Sequence, residues 1–463
     1  MVVVNAASAA AAQHFKRMAT AGGRTAGTSH RLRVRLSVHD VYLALGPIYF
    51  RRAYRMDYHS FLHLHDKLKD NMEAARKNMT TYVSNGGRQG GRYKLPPIPN
   101  GAVPAKTRLA CAIRYFSGGS PYDIMTVYGV SHTIVFDSVW QVVEATNNLE
   151  EFKILYPECH RMQESIARGF AAVSDVPFTN CAGAVDGVVI WTNRPTESDT
   201  LVARLGDGKF YCGRKKKYGL NCQVVSDANG RILDISITHG AATSDIIAFE
   251  SSSLFARLEE GGVLKEGLTL FGDNAYLNTN YMASPYPNAN GTRDAYNFYQ
   301  SQVRIRVECC FGMLAMRWGI LRMAIPQNMS MVKVIGMVNA LAKLHNFCLN
   351  ESNLGTMRAE MEMYHDANRL RRDVVYMQGV GCIAMSSTNE HAGVDIPTDL
   401  TDIGNDPDDV PRSVVRQDVT RNFNQRLEIN ERGDFLPRRL LHDMVIAQGL
   451  RRPAANVRQH NSD

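Results

Sequence analysis

Hydrophobic and polar positions divide the chain into four stretches. Residues 1–35 show no period, and residues 36–150 read as helical. Within the second stretch, residues 106–117 (KTRLACAIRYFS) place apolar side chains at helical spacing until Gly118-Gly119 stop them. Ser120 is suited to cap a following helix that ends at Gly129, and Ser131 to cap a third, from His132 to about Thr146, with Val135, Val139 and Val142 on one face. Gly and Pro crowd residues 84–104, which therefore read as a loop or hinge. Residues 175–350 alternate between strand and helix periods, and the stretch beyond 351 begins helical and charged, then loosens.

The third stretch has a definite order. Residues 181–191 (CAGAVDGVVIW) form an apolar run with one acid, as in a buried strand. Residues 219–226 (GLNCQVVS) and 231–238 (RILDISIT) read as strands joined by the hairpin signal Asp227-Ala228-Asn229-Gly230. Residues 244–260 read as one helix with Ile247, Phe249, Leu254, Phe255 and Leu258 inside, and 268–271 (LTLF) as a fourth strand. In 301–321, Val303, Val307, Cys310, Leu314, Trp318 and Leu321 fall at three- and four-residue steps, which predicts a long amphipathic helix. Strand, hairpin, helix, strand, helix is the order of an RNase H-like core. The expected fold class is α/β, with a disordered leader over 1–35, a helical domain over 36–150, the RNase H-like core over 175–350 and a tail over 351–463 that is helical and then disordered. The helices before 146 also match a helix-turn-helix pattern, which would bring His132, Thr133 and Ser138 near a DNA groove. An ordinary bundle that only packs would look the same.

Three acids stand where such a core needs them. Asp186 lies inside Ala184-Val185-Asp186-Gly187-Val188-Val189, where a carboxylate is costly unless paired, hydrogen-bonded or metal-bound. Gly187 beside it permits close approach of another group. Asp273 follows the fourth strand, at the carboxyl end where ligands bind in open α/β sheets. Glu308 sits on the long helix. Singly, each has a plain structural alternative: a strand-end hydrogen bond for Asp186, turn chemistry in Gly272-Asp273-Asn274, and an ion pair between Glu308 and Arg304 four residues earlier. Together, two Asp and one Glu on three converging elements give hard oxygen donors suited to Mg²⁺ or Mn²⁺, and such a set can hold two ions roughly 3.5–4 Å apart for phosphodiester displacement. A glycosidase-type hydrolase asks for only two carboxyls, and the basic flanks here argue against it.

Charge and composition sharpen this reading. The 463 residues carry a formal net charge of +8, and the pI is about 9.0. That balance suits an anionic partner such as nucleic acid. The run Arg214-Lys215-Lys216-Lys217 offers phosphate contacts or a nuclear import signal, and a solvated loop is the plain alternative. The 9 cysteines form no CxxC pair, which predicts buried, reduced thiols in a soluble intracellular chain. No apolar run approaches the ~20 residues needed to span a bilayer. The leader holds Lys16, Arg17, Arg24, Arg31, Arg33 and Arg35 with no acid; a transit peptide and a disordered basic leader both fit, and the latter is the reading adopted. Residues 390–409 hold seven acids without Lys or Arg, from Glu390 to Asp409, and read as a disordered linker before a basic end with a short helix near 438–448.

Residues 184–350 resemble the PIF/Harbinger transposase-derived nucleases of the DDE endonuclease superfamily. The matching segments occur in the family's order: Gly183-Ala184-Val185-Asp186-Gly187, Tyr211-Cys212-Gly213-Arg214-Lys215 with Tyr218-Gly219-Leu220-Asn221, Ser244-Asp245, Phe271-Gly272-Asp273-Asn274-Ala275-Tyr276, Asn297-Phe298-Tyr299 with Ser301-Gln302, Arg304 through Gly312, and Leu344-His345-Asn346-Phe347-Cys348. Residues 104–146 are similar to the family's N-terminal region. The resemblance implies a metal-dependent DNA endonuclease with Asp186, Asp273 and Glu308 as catalytic triad and metal ligands, Asp245 as an auxiliary acid, Mg²⁺ or Mn²⁺ as cofactor, and a nuclear location with the cytoplasm second. It also implies a separate Myb-like DNA-binding partner, since Trp140, Trp191 and Trp318 are too far apart to form a Myb repeat here. Self-association is left open. Two departures stand out: His239-Gly240-Ala241-Ala242-Thr243-Ser244-Asp245 lacks the family's Pro-Gly pair, and Val188 stands where Thr is common. The alternative expectation is a domesticated derivative that binds DNA or protein and no longer cuts.

Overall fold

Serine side chains set many of the helix starts. Ser37 accepts from the Asp40 N–H and Asp40 answers to the Ser37 N–H, a reciprocal capping box. Ser120, Ser131 and Ser252 each accept a backbone N–H in the first turn of the helix that follows. The structure is a computed structural model and describes residues 35–85, 102–174, 178–197, 199, 207–325, 330–351 and 436–452. The predicted leader, most of the 84–104 loop and the acidic 390–409 stretch lie outside them.

The chain separates into two compact units, Met1–Phe152 with Arg317–Ile320, and Lys153–Met316 with Leu321–Asp463. The first contains α1 (Val38–Tyr54), α2 (Tyr58–Asn85), α3 (Ala105–Phe116), α4 (Pro121–Tyr128) and α5 (His132–Asn147). Phe50, Phe61, Leu64, Leu109, Phe116 and Val139 are fully buried among them, and Trp318 packs edge-on to Phe116 at 6.3 Å. The Ser120 and Ser131 caps and the Gly129 stop fall where the sequence predicts; Gly129 takes φ 58°, left-handed backbone that favours glycine. Ser138 differs from expectation. Its side chain is buried and donates to the Ile134 carbonyl, so it belongs to the bundle core and not to a groove-facing side. His132 and Thr133, at the start of α5, are exposed.

The second unit is built on a mixed six-stranded sheet. Its elements are α6 (His160–Ala172), β1 (Cys181–Thr192), β2 (Tyr211–Cys212), β3 (Lys217–Ser226), β4 (Ile232–Gly240), α7 (Asp245–Glu250), α8 (Ser253–Glu260), β5 (Thr269–Phe271), β6 (Met282–Ala283), α9 (Thr292–Arg317), α10 (Met331–Glu351) and α11 (Leu436–Ala447). The strand order is β2-β3-β1-β5-β6, with β4 paired to β3. β1 runs antiparallel to β3 from Ala184↔Ser226 to Thr192↔Tyr218 and parallel to β5 through Ala184↔Phe271. Val185, Val225, Leu233, Phe249, Leu254, Leu270 and Met282 form a buried cluster. This mixed α/β architecture follows the predicted element order.

Three differences have local causes. The single helix expected over 244–260 is two, because Ser251 turns its hydroxyl back onto the Ile247 carbonyl and Ser252 caps a fresh helix through the Phe255 N–H. The helix expected from 301 begins at Thr292, because its first turns bury hydrogen-bonding side chains that an apolar period does not register: Asn297 pairs with both backbone groups of Tyr286, and Gln300 donates to the Gly272 and Ala283 carbonyls. β6, only two residues long, carries no legible pattern. The β3–β4 turn forms as predicted, with the Asp227 carboxylate accepting from the Asn229 and Arg231 N–H groups. α11 lies close to the predicted 438–448, and its Arg438 stacks on Tyr286 at 4.1 Å. Among the described residues no helix is long and apolar enough to cross a membrane.

The 344–348 segment holds the hairpin. On α10, Asn346 accepts from the Ile232 N–H and donates to the Ile232 carbonyl, while the His345 ring contacts the Gly230 carbonyl at 3.0 Å. Asn346→Ala would strand both Ile232 groups in a buried place, a cost of about 1–3 kcal/mol. We expect faster amide exchange in β4 and a lower thermal midpoint for that variant; wild-type protection at Ile232 would refute the clamp.

Candidate active site

A buried carboxylate at the centre of a sheet needs an electrostatic reason. Asp186 sits in mid-β1, paired with Val224 of β3, and its side chain is only 17% exposed. Its nearest cation is Arg304 on α9, whose guanidinium lies 3.5 Å from the Asp186 carboxylate and 2.9 Å from that of Glu308 one turn further on. The i,i+4 pair anticipated between Arg304 and Glu308 is therefore present, and its cation is shared with Asp186. Burial pushes the Asp186 carboxyl up to about 7; the nearby Asp273 and Glu308 charges push the same way, and Arg304 and the Gly187 N–H oppose them.

Asp273 begins the loop after β5. Its carboxylate accepts the Ala275 N–H at 2.8 Å, which fixes a tight turn. Burial raises its proton affinity, and Asp245 and Glu308 add to this against the Ala275 N–H and Arg304. Gln300 on α9 holds the same loop by its Gly272 carbonyl. Asp186, Asp273 and Glu308 thus share one electrostatic neighbourhood with Arg304 among them, and Asp245 borders it.

Asp245, at the start of α7, is held from β3. Asn221 and Gln223 each donate a side-chain N–H to its Oδ1 at 3.0 Å, and Gln223 accepts from the buried Tyr276 hydroxyl at 2.6 Å. The absence of a side chain at Gly187 makes this possible: a Cβ there would stand 2.0 Å from Asp245 Oδ1 and 2.5 Å from Gln223 Nε2. The close approach expected at Gly187 is that of this carboxylate. Burial and the charges of Asp186, Asp245 and Asp273 hold the Tyr276 phenol far above its ordinary range, so it stays a donor.

Arg304 as a shared cation, Gln223, Asn221 and Tyr276 are the residues that sequence reasoning missed. Asn221 and Gln223 had a signal, being polar and two apart in an apolar strand, hence on one face. The reach of Arg304 to Asp186 had none, since it depends on how α9 seats on the sheet. The remaining predicted residues are elsewhere. Arg214, Lys215, Lys216 and Lys217 are exposed in the β2–β3 hairpin, and His132 and Thr133 belong to the other unit.

The carboxylates suit a hard divalent ion in donor chemistry and charge. Among the described residues, no three His, Cys, Asp or Glu side chains stand in an arrangement that holds a metal. Arg304 is instead the cation in contact with both Asp186 and Glu308.

Residues 185–346 match the family described as DDE superfamily endonuclease, a span that runs from the residue before Asp186 to Asn346. The resemblance to the Harbinger transposase-derived group holds in individual relatives as well. The chain is 22% identical over 281 residues to "Protein ALP1-like" of Arabidopsis thaliana, covering 57% of this chain and 66% of that protein. It is 23% identical over 197 residues to the rat protein named "Putative nuclease HARBI1", covering 42% of this chain and 53% of the relative, and 21% identical over 197 residues to the human protein of that name. It thus spans between about half and two thirds of these relatives. No solved structure matches.

The raised proton affinity of Asp186 has a sign that can be measured. The folded state holds this proton up to about pH 7 and the unfolded chain releases it near the ordinary carboxyl value of 3.8, so this group's contribution to stability falls as pH rises across that window. In chelator, Asp186→Asn should gain thermal stability over wild type at pH 8 and show little gain near pH 4. With ~1.4 kcal/mol per tenfold change in proton affinity and a rise from 3.8 to about 7 that already includes the attraction to Arg304, the gain at pH 8 is on the order of 4 kcal/mol. A gain independent of pH would contradict the burial argument.

Proposed function

We propose that the chain is a DNA endonuclease of the transposase type that depends on a divalent metal, with Asp186, Asp273 and Glu308 as its catalytic acids. The observation that carries this reading is the Arg304 guanidinium, 3.5 Å from Asp186 on β1 and 2.9 Å from Glu308 on α9, with the Asp273 charge acting on Asp186 from the loop after β5, all within the DDE-matching residues. The element order and mixed sheet support an RNase H-like core. When bound, Mg²⁺ or Mn²⁺ supplies an activated water or 3′-hydroxyl and steadies the leaving oxygen of the phosphodiester.

The protein's own part is to fix ionised oxygens and receive the phosphate backbone. Asp186, Asp273 and Glu308 would hold the ions. Asp245, fixed by Asn221 and Gln223, would border them as an auxiliary acid. Arg304 would align Asp186 and Glu308 and oppose the rise in Asp186 proton affinity that burial causes. The exposed Arg214, Lys215, Lys216 and Lys217 would neutralise phosphates, and His132 and Thr133, exposed at the capped start of α5, would contact DNA if the N-terminal helices act as a helix-turn-helix. The basic run also supports a nuclear location, and a Myb-like protein is the expected DNA-binding partner.

A second reading has its own observation. Arg304 already stands between Asp186 and Glu308 without an ion, which suits a domesticated derivative that binds DNA and does not cut. Supercoiled plasmid separates the two readings. We expect nicking with Mg²⁺ or Mn²⁺ that chelator stops and that Asp186→Ala, Asp273→Ala or Glu308→Ala abolishes. Equal nicking by wild type and Asp186→Ala sinks the endonuclease reading, whereas salt-dependent DNA binding with no metal-dependent nicking favours the derivative.

A further inference from the structure

The β2–β3 hairpin combines two features that its charge alone does not explain. From Gly208 through Tyr218 the chain carries five cations, Lys209, Arg214, Lys215, Lys216 and Lys217, and no acid. All five are exposed. The turn that presents the last four closes with the Lys215 N–H on the Cys212 carbonyl at 3.1 Å, and Lys216 takes φ 52°, a left-handed conformation uncommon outside glycine. Flanking the turn, Tyr211 and Tyr218 are cross-strand partners, their rings 5.1 Å apart and inclined at 56°. Tyr211 remains 37% exposed.

The register relates this hairpin to the acids. β1 and β3 pair without interruption from Asp186↔Val224 to Thr192↔Tyr218. Side chains alternate faces, so Thr192, Tyr218 and its partner Tyr211 share the sheet face of Asp186, six residues or roughly 20 Å along the strand. That is about the rise of six base pairs at 3.4 Å each.

A tyrosine pair at a strand end ordinarily does no more than stabilise the hairpin. Here one ring is left partly open beside an exposed basic turn, on the face that carries Asp186. A phosphate backbone has no use for an aromatic ring, but an unpaired base stacks on one, whereas bases within a duplex already have their faces covered. We infer that Tyr211, backed by Tyr218 and next to the exposed basic turn Arg214 to Lys216, is a stacking platform that selects DNA with unpaired bases a few nucleotides from the scissile phosphate. This rests on the endonuclease reading for its substrate, though not for its test.

The experiment measures anisotropy of the full chain in chelator with two fluorescein-labelled probes, a single-stranded thymidine oligonucleotide and a blunt duplex. Tyr211→Leu, which keeps an apolar side chain without the ring, should weaken single-strand binding about tenfold and leave duplex binding unchanged. Tyr211→Phe should bind both probes as wild type does. Lys215→Gln with Lys216→Gln should weaken both and flatten the salt dependence by about 0.7 in log–log slope for each single-strand phosphate that is no longer neutralised. Equal loss on both probes for Tyr211→Leu, or no loss on the single strand, overturns the inference. If that happens while Asp186-dependent nicking persists, only the platform falls. Tyr211-dependent single-strand binding without any nicking supports the platform and removes the endonuclease reading.

Discussion

The second unit is organised around the difficulty of keeping one carboxylate inside a sheet. Asp186 is flanked by strand on both sides, deep enough that its proton affinity rises to about 7. Its surroundings make matters worse in one respect, since Asp273 and Glu308 add like charge, and tolerable in another, since a single guanidinium from α9 touches both Asp186 and Glu308. An apolar residue at this position would stabilise the sheet more cheaply. Retaining a poorly solvated acid among other acids is the arrangement found where charge is needed for chemistry.

Much of the surrounding structure holds that cluster in register. Gln300 ties the Asp273 loop to α9, and Asn297 ties the next segment to the same helix. Gln223 joins Tyr276, in the Asp273 loop, to Asp245 at the start of α7. The segments by which the chain resembles the Harbinger nucleases thus divide in two. Those at 184–187, 271–276 and 304–308 carry acids. Those at 297–302 and 344–348 mostly tie backbone in place, as Asn346 does for Ile232.

The legible part of the fold was the part written in apolar periods and turn chemistry. β1, β3, β4, β5, their hairpin and the serine-capped helices were readable because burial alternates along strands and because Ser, Asn, Asp and Gly have few roles at chain reversals. The start of α9 was hidden since Asn297 and Gln300 bury polar atoms, and the break between α7 and α8 since two adjacent serines look unremarkable in an amphipathic pattern. At the candidate site, the identity of each acid was legible and the company it keeps was not. That Arg304 reaches across to Asp186, and that Gly187 leaves room for Asp245, are properties of packing between elements far apart in sequence.

α9 carries both the tether of the Asp273 loop and Glu308, eight residues apart on one rod, about 12 Å along its axis. Asp273 itself follows directly on β5, which pairs with the strand of Asp186, so the sheet sets the spacing of the two aspartates while the seat of α9 sets where Glu308 and the shared guanidinium meet them.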